Sequence, residues 1–188
     1  MDEDLNFFKV NMKYVRNLKN AEKRATGRTN TILSVSSQTN KQSRPFLGII
    51  VLVNSQKYCI PLSSVNEKPK YKSISENITC RKIKDGEGNT IGILNINNMI
   101  PVREEYITLF KIDELPDDSE SQKDYKEVCR KELEWCRKNK QLIVKLAEDL
   151  HRIICSGEKF LKRNICPDYA VLERECNKAK SIPKRKMK

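Results

Sequence analysis

The sequence predicts an α+β domain, with a twisted antiparallel sheet in its first two-thirds and helices in its last third. Three observations carry this. Short runs rich in β-branched and aromatic residues, bounded by turn residues, recur as far as about residue 112. From about Ser121 onward the apolar residues instead keep a helical period. Pro116-Asp117-Asp118-Ser119 separates the two regimes. Strands followed by helices, rather than alternating with them, argue against a doubly wound α/β fold.

The first strand is expected in Leu5 to Val10, and Asn11 suits a helix N-cap. The helix that follows runs to about Lys23, with Tyr14, Val15 and Leu18 in phase. Residues 24–44 enclose Thr26 to Ser43, which is rich in Thr, Ser, Asn and Gln and reads as a long polar loop. Phe46 to Val53 is a nearly continuous apolar run, as expected of a central strand buried on both faces. Asn54-Ser55 is a turn, and Gln56 to Leu62 returns as the hairpin partner. Ser63 to Ile78 is polar and basic and reads as a loop. Strands are expected at Thr79 to Lys84 and Thr90 to Ile96, around the turn Asp85-Gly86-Glu87-Gly88-Asn89, and a last one at Ile107 to Ile112.

One long helix is predicted over 121–156. Tyr125, Val128, Cys129, Leu133, Cys136, Leu142, Ile143, Leu146, Leu150, Ile153 and Ile154 share a face, and Gly157 is placed to end it. A terminal helix follows near Pro167 with Tyr169, Leu172 and Cys176 in phase, and 181–188 is a basic tail. The whole reads as a single domain over 1–180.

Bulk properties narrow the function. The 188 residues are 38% hydrophobic and 33% charged, enough apolar residues for one core. A net charge of +12 predicts salt-sensitive attraction to polyanions. No membrane partner is expected, because no apolar run approaches the roughly 20 residues a spanning helix needs. The acidic start, Met1 to Asn6, lacks the pattern of a signal peptide, so a cytoplasmic location is expected. Seven cysteines without a Cys-x-x-Cys pair, and a lone His151, supply no zinc site. These thiols read as small hydrophobes, and no metal or cofactor is expected.

Several chemistries are struck out. There is no Gly-rich phosphate loop and no dinucleotide fingerprint. The carboxylates fall in turns and on helix faces rather than clustering for two metal ions. One histidine cannot make a His-pair ribonuclease, and His151 reads as structural or solvent-facing. What remains for RNA is attack by its own 2′-OH on the adjacent phosphate, helped by cations and donors. Such groups gather at the open end of the central hairpin: Arg44 just before the first strand, Ser63 and Ser64 just after the second, then Lys68, Lys70, Tyr71 and Lys72. On spacing alone an ordinary basic loop is the favoured reading over a catalytic one.

At these residues the chain resembles the ToxN/AbiQ/CptN family of type III toxins, nearest the CptN type. The resemblance runs in order through most of the chain. It comprises Phe7-Phe8-Lys9-Val10-Asn11-Met12-Lys13-Tyr14-Val15, then Arg44-Pro45-Phe46-Leu47-Gly48-Ile49 and Pro61-Leu62-Ser63-Ser64. It continues with Gly92-Ile93-Leu94-Asn95 leading to Met99-Ile100-Pro101, and with the helix bearing Tyr125-Lys126 and Leu133. It implies a highly twisted antiparallel sheet with surrounding helices, similar to the MazF/Kid/CcdB toxin fold. It further implies metal-independent cleavage of A-rich RNA, leaving 2′,3′-cyclic phosphate and 5′-OH ends. The implied partner is an antitoxin RNA of tandem pseudoknot repeats, held with the toxin in a closed ring, and the implied cellular substrate is mRNA rather than DNA.

Carried onto this chain, the resemblance makes Ser64, with Ser63 before it, Tyr14 and Arg44 the catalytic set. The family lysine falls on Lys68 across an insertion, with Lys70 as alternative. Lys68 and Arg44 would stabilise the charged phosphorane, Ser64 would hydrogen-bond a phosphate or leaving oxygen, and Tyr14 would orient the 2′-OH or stack a base. Lys70, Tyr71, Lys72, Lys57, Arg81 and Lys82 are the expected RNA contacts. The competing expectation is a basic RNA-binding module without catalysis. A helix-turn-helix reader and a topoisomerase-directed toxin fit less well.

Overall fold

A computed structural model describes residues 5–32, 46–65 and 73–178, with Ser64 described through its backbone. The strands are β1 (Phe7–Val10), β2 (Phe46–Val53), β3 (Gln56–Ser64), β4 (Arg81–Lys84), β5 (Thr90–Leu94), β6 (Ile100–Pro101) and β7 (Ile107–Leu109). The helices are α1 (Met12–Thr26), α2 (Glu120–Lys138), α3 (Lys140–Ser156) and α4 (Tyr169–Cys176). The strands form one antiparallel sheet in the order β4-β5-β3-β2-β1-β7, with β6 also paired to β3.

The apolar run of β2 explains the layering. Leu47, Ile49, Val51 and Val53 point into a cluster with Cys129, Leu133, Ile143, Ala147 and Leu150 of α2 and α3. Phe46, on the other face, joins Tyr14, Val15 and Leu18 of α1 and Leu172 and Cys176 of α4. The strand is covered on both sides for most of its length, so its sequence does not alternate; Leu52, next to the turn, is 57% exposed. No helix among the described residues is long and apolar enough to cross a membrane.

Local signals hold where a side chain makes the predicted bond. Asn11 caps α1, its Oδ1 accepting from the N–H groups of Lys13 (2.9 Å) and Tyr14 (3.3 Å). Gly157 ends α3 with φ 77°, the left-handed conformation a C-cap glycine adopts freely. The α2–β7 connection is pinned by buried Lys126, which donates to the Asp113 carbonyl (2.8 Å) and to Asp118 (2.6 Å).

Three expectations need correction. The single helix over 121–156 is two helices broken at Asn139, whose φ −108° and ψ 15° leave the helical region. Its Nδ2 donates to the Trp135 carbonyl at 2.9 Å, so the side chain competes for a backbone acceptor. Ser63 and Ser64 do not follow β3 but end it, because β5 pairs with them despite their polarity. The last strand stops at Leu109 rather than Ile112, since beyond the Phe110 N–H bond to Phe7 (2.8 Å) the chain turns toward α2.

Candidate active site

The sheet sets Ser63 and Ser64 in short rows across three strands. Leu62 pairs with Leu94, and Leu94 with Arg81. Ser63 pairs with Ile93, and Ile93 with Lys82. Ser64 pairs with Gly92, and Gly92 with Ile83. Neighbouring strands lie about 4.8 Å apart, so the Lys82 backbone is roughly 10 Å from that of Ser63. Arg81 and Lys82 therefore flank the serine end of the sheet. Arg81 approaches Glu76 at 4.0 Å, and the Lys82 N–H donates to the same carboxylate at 3.0 Å.

Ser63 is half-buried, and its Oγ accepts a hydrogen bond from Asn95 Nδ2 at 3.0 Å. Asn95 is itself buried, and its backbone N–H donates to the Pro61 carbonyl at 2.9 Å. A donor on Oγ leaves the Ser63 O–H free to donate away from Asn95. Asn95 stands in the Gly-x-x-Asn element noted in the sequence, yet its link to Ser63 exists only once β3 and β5 pair.

A second group lies behind the same rows. Glu132 of α2 is 5% exposed, and its carboxylate occupies the space that a side chain at position 92 would fill. Glycine at 92 is thus what lets the carboxylate reach the sheet, one strand over from Ser64. Burial pushes the Glu132 carboxyl up to about 8 from an ordinary value of 4.5. Among the described residues it makes no ion pair or hydrogen bond that would oppose this.

Tyr14 is buried on α1. Its hydroxyl donates to the Pro101 carbonyl at 2.7 Å, and burial holds it well above the usual phenol range. Its ring stacks on Tyr106 with centroids 3.8 Å apart and planes 7° from parallel. Beside this pair opens a cleft of about 300 Å³, lined by Asn11, Lys13, Asn17, Glu105, Glu175 and Lys178 as well as the two rings. Tyr106, half-buried, was missed in the sequence because nothing local distinguishes it from any other tyrosine in a connector.

The hairpin brings the predicted ends together. Gly48 pairs with Pro61 and Val53 with Gln56, so the start of β2 and the end of β3 share one open end, opposite the Asn54–Ser55 turn. Val10 pairs with Phe46, which puts the entry to α1 near that end as well. Arg44, Lys68, Lys70, Tyr71 and Lys72 lie outside the described residues. Lys57 does not join the serines. It stands six positions earlier on β3, roughly 20 Å away along the strand, and pairs with Glu104.

His151 lies toward the turn end. Its Nε2 is 2.9 Å from Glu173, whose carboxylate also accepts from Tyr58 (2.7 Å), and its ring stacks on Tyr169. The bonds tie α3 and α4 to β3, which is a structural task. All seven cysteines are free of disulfides, and burial raises the thiols of Cys59, Cys136, Cys155 and Cys176, and those of Cys166 to about 11 and Cys129 to about 12.

Comparison with known proteins places this geometry in context. The family model described as toxin ToxN, type III toxin–antitoxin system, matches residues 6–177. The chain is 27% identical over 150 residues to endoribonuclease ToxN of Bacillus thuringiensis subsp. kurstaki, covering 77% of this chain and 73% of the relative. A solved structure from work on selective toxin inhibition by a non-coding RNA pseudoknot superposes with a TM-score of 0.70 at 22% identity. That match covers 93% of this chain and 96% of the other. AbiQ, a lactococcal anti-phage endoribonuclease of the type III class, superposes with a TM-score of 0.69 at 20% identity, with the same coverage.

Proposed function

This chain belongs to the ToxN toxin family of type III toxin–antitoxin systems, and on that premise we propose that the Ser63–Ser64 end of β3 is the centre of a metal-independent endoribonuclease. The chain is an endoribonuclease toxin, as its relatives are. The finer reading is that RNA is cut by its own 2′-OH. The 2′-oxygen bonds to phosphorus, the 5′-oxygen leaves, and the products carry a 2′,3′-cyclic phosphate and a 5′-OH. One proton leaves the 2′-OH and one reaches the 5′-oxygen.

The observation that carries this reading is the built seat of the two serines. Ser63 is held by Asn95 at 3.0 Å, and both serines are locked into the β3–β5 ladder. The Ser63 hydroxyl, held by Asn95, can hold a non-bridging or leaving oxygen without reorganising. Lys82 lies in the row of Ser63 and Arg81 in the adjacent row of Leu62, and both supply positive potential beside the serines. Lys68, or Lys70, and Arg44 complete the cationic set, and Tyr14 with Tyr106 forms the aromatic wall on the α1 side. Lys70, Tyr71 and Lys72 extend the RNA path; Lys57 contributes a more distant contact.

The proposed partner is a repeat antitoxin RNA folded as a pseudoknot, processed by the toxin and then retained in a closed protein–RNA ring. The proposed cellular target is A-rich mRNA in the cytoplasm, with growth arrest during phage infection as the outcome. Inhibition by a pseudoknot and anti-phage activity are properties named for the structural neighbours.

The test is end-mapped cleavage of an A-rich RNA in excess chelator by the parent chain and by Ser64→Ala. The parent is expected to leave cyclic-phosphate ends, and the variant to lose activity by roughly 100-fold or more, the scale of one removed oxyanion donor. Binding with intact RNA in both reactions would make the chain a non-catalytic RNA-binding module instead.

A further inference from the structure

The exposed face of α1 carries Lys13, Arg16, Lys23 and Arg24, and the only acidic residue of the helix, Glu22, is 1% exposed on the opposite side. At a helical pitch the four cations fall within a sector of roughly 120° and span about 16 Å along the axis. Among the described residues, none of their side chains has an acidic partner. The other long helices are built differently. On α2 and α3, Lys123 pairs with Glu120, Lys131 with Glu127, Lys138 with Glu134 and Arg152 with Glu158. Those four cations are compensated on their own helix or just beyond it; Lys13, Arg16, Lys23 and Arg24 have no such pair among the described residues.

Helix stability does not account for the pattern. Lys23 and Arg24 sit in the last turn, where cations suit the helix dipole. Lys13 and Arg16 sit at the other end, where the dipole disfavours them, and the first turn of α1 has no acidic residue. By contrast, α2 opens with Glu120 and a Ser119–Gln122 capping box. The position of the stripe is also specific, because Lys13 and Asn17 line the cleft beside the stacked Tyr14 and Tyr106.

We propose that the outer face of α1 is a phosphate-binding track for RNA, leading away from the Tyr14–Tyr106 cleft, in which Lys13, Arg16, Lys23 and Arg24 hold successive backbone phosphates. The inference rests on the RNA-cleaving reading of the chain and adds a surface to it that lies away from the serine rows. Such contacts position a strand and carry no base information, so the track serves substrate and antitoxin RNA alike.

The experiment measures affinity for a 2′-O-methyl oligoadenylate, which cannot be cleaved, across a range of salt concentrations. Three proteins are compared: the parent, a variant with Lys13→Gln, Arg16→Gln, Lys23→Gln and Arg24→Gln, and a control with Lys123→Gln, Lys131→Gln, Lys138→Gln and Arg152→Gln. Each lost phosphate contact on a single strand lowers the slope of log K against log salt by about 0.7. The α1 variant is expected to lose close to 3 from the slope and at least tenfold in affinity at low salt. The control, of equal net charge, is expected to keep the parent's slope.

Glutamine is a good helix former, so α1 should persist. If the fourfold variant fails to fold, Arg16→Gln and Arg24→Gln alone are each expected to lower the slope by about 0.7. An α1 variant with the parent's slope overturns the proposal, as does a control that weakens equally. Binding is read without cleavage, so a chain that grips RNA through α1 yet leaves it intact refutes the nuclease reading alone. A chain that cleaves RNA with a slope indifferent to α1 refutes the track alone.

Discussion

Glu132 is where a single side chain most clearly couples stability to pH. Its carboxyl is held at about 8 by burial, against an ordinary value of 4.5 in the unfolded chain. Cys129 and Cys136 flank it on α2, β5 brings no charged residue, and β4 brings Arg81, Lys82 and Lys84. The folded state therefore binds this proton more tightly than the unfolded state. The resulting stabilisation is complete below about pH 4.5 and is lost as pH rises through 8. Ionising the carboxyl inside the fold costs on the order of 5 kcal/mol over that window. Glu132→Gln keeps the shape and has no proton to lose. Denaturant midpoints at about pH 5, 7 and 9 are expected to show the variant gaining on the parent with each step. A parent–variant difference that stays constant with pH would mean that this carboxyl does not carry the proton. Since Glu132 backs Gly92, the pairing partner of Ser64, the same loss should loosen the serine end of β3.

At the scale of elements, the β2–β3 hairpin is the piece on which the site depends, and Gly48 holds its closest approach. A side chain at position 48 would strike the Ile60 carbonyl and Cys59 Sγ, one backbone and one buried atom with no room to move. Gly48→Ala is expected to destabilise the fold by about 1–3 kcal/mol, read as a lower urea midpoint with an unchanged m-value. This hairpin was also the most legible part of the sequence. Burial on both faces leaves an uninterrupted apolar run, and the boundaries of β2 follow directly from it. The N-cap of α1 was legible for a similar reason, since Asn11 bonds its own neighbours. The break at Asn139 was not, because the apolar faces of α2 and α3 stay in phase across it. Nor was β6, two residues long and defined only by pairing with Tyr58 and Cys59. The site divides in the same way. Ser63, Ser64 and Tyr14 stood out through a resemblance of motifs, whereas Asn95, Tyr106 and Glu132 matter through contacts between segments far apart in the chain.

Over the whole molecule, one buried carboxylate ties the two ends of the chain together. Glu22 of α1 accepts from Thr31 Oγ1 and from the backbone N–H of Asp168 (2.9 Å), and pairs with Arg28 at 3.3 Å. Arg28 in turn donates to the carbonyls of Cys166 (2.9 Å) and Arg163 (3.4 Å). The network clamps the segment before α4 onto the end of α1, so Leu172 and Cys176 of α4 complete the apolar cluster under Tyr14. It also leaves α1 with a fixed inner side and an outer side of uncompensated cations. Removing the carboxylate leaves the buried Thr31 hydroxyl and the Asp168 N–H without their acceptor and takes the counter-charge from Arg28, which keeps its two carbonyls, and this costs more than losing a surface pair. Glu22→Ala is expected to lower stability by about 3 kcal/mol, whereas Lys138→Ala, which breaks the exposed pair with Glu134, should cost under about 1 kcal/mol. Amide exchange locates the damage: Tyr169 to Cys176 should lose protection before β2 and β3 do. If instead both regions opened together, α4 would be part of the sheet's own cooperative unit, and the Glu22 clamp would not be what holds the ends of the chain to one another.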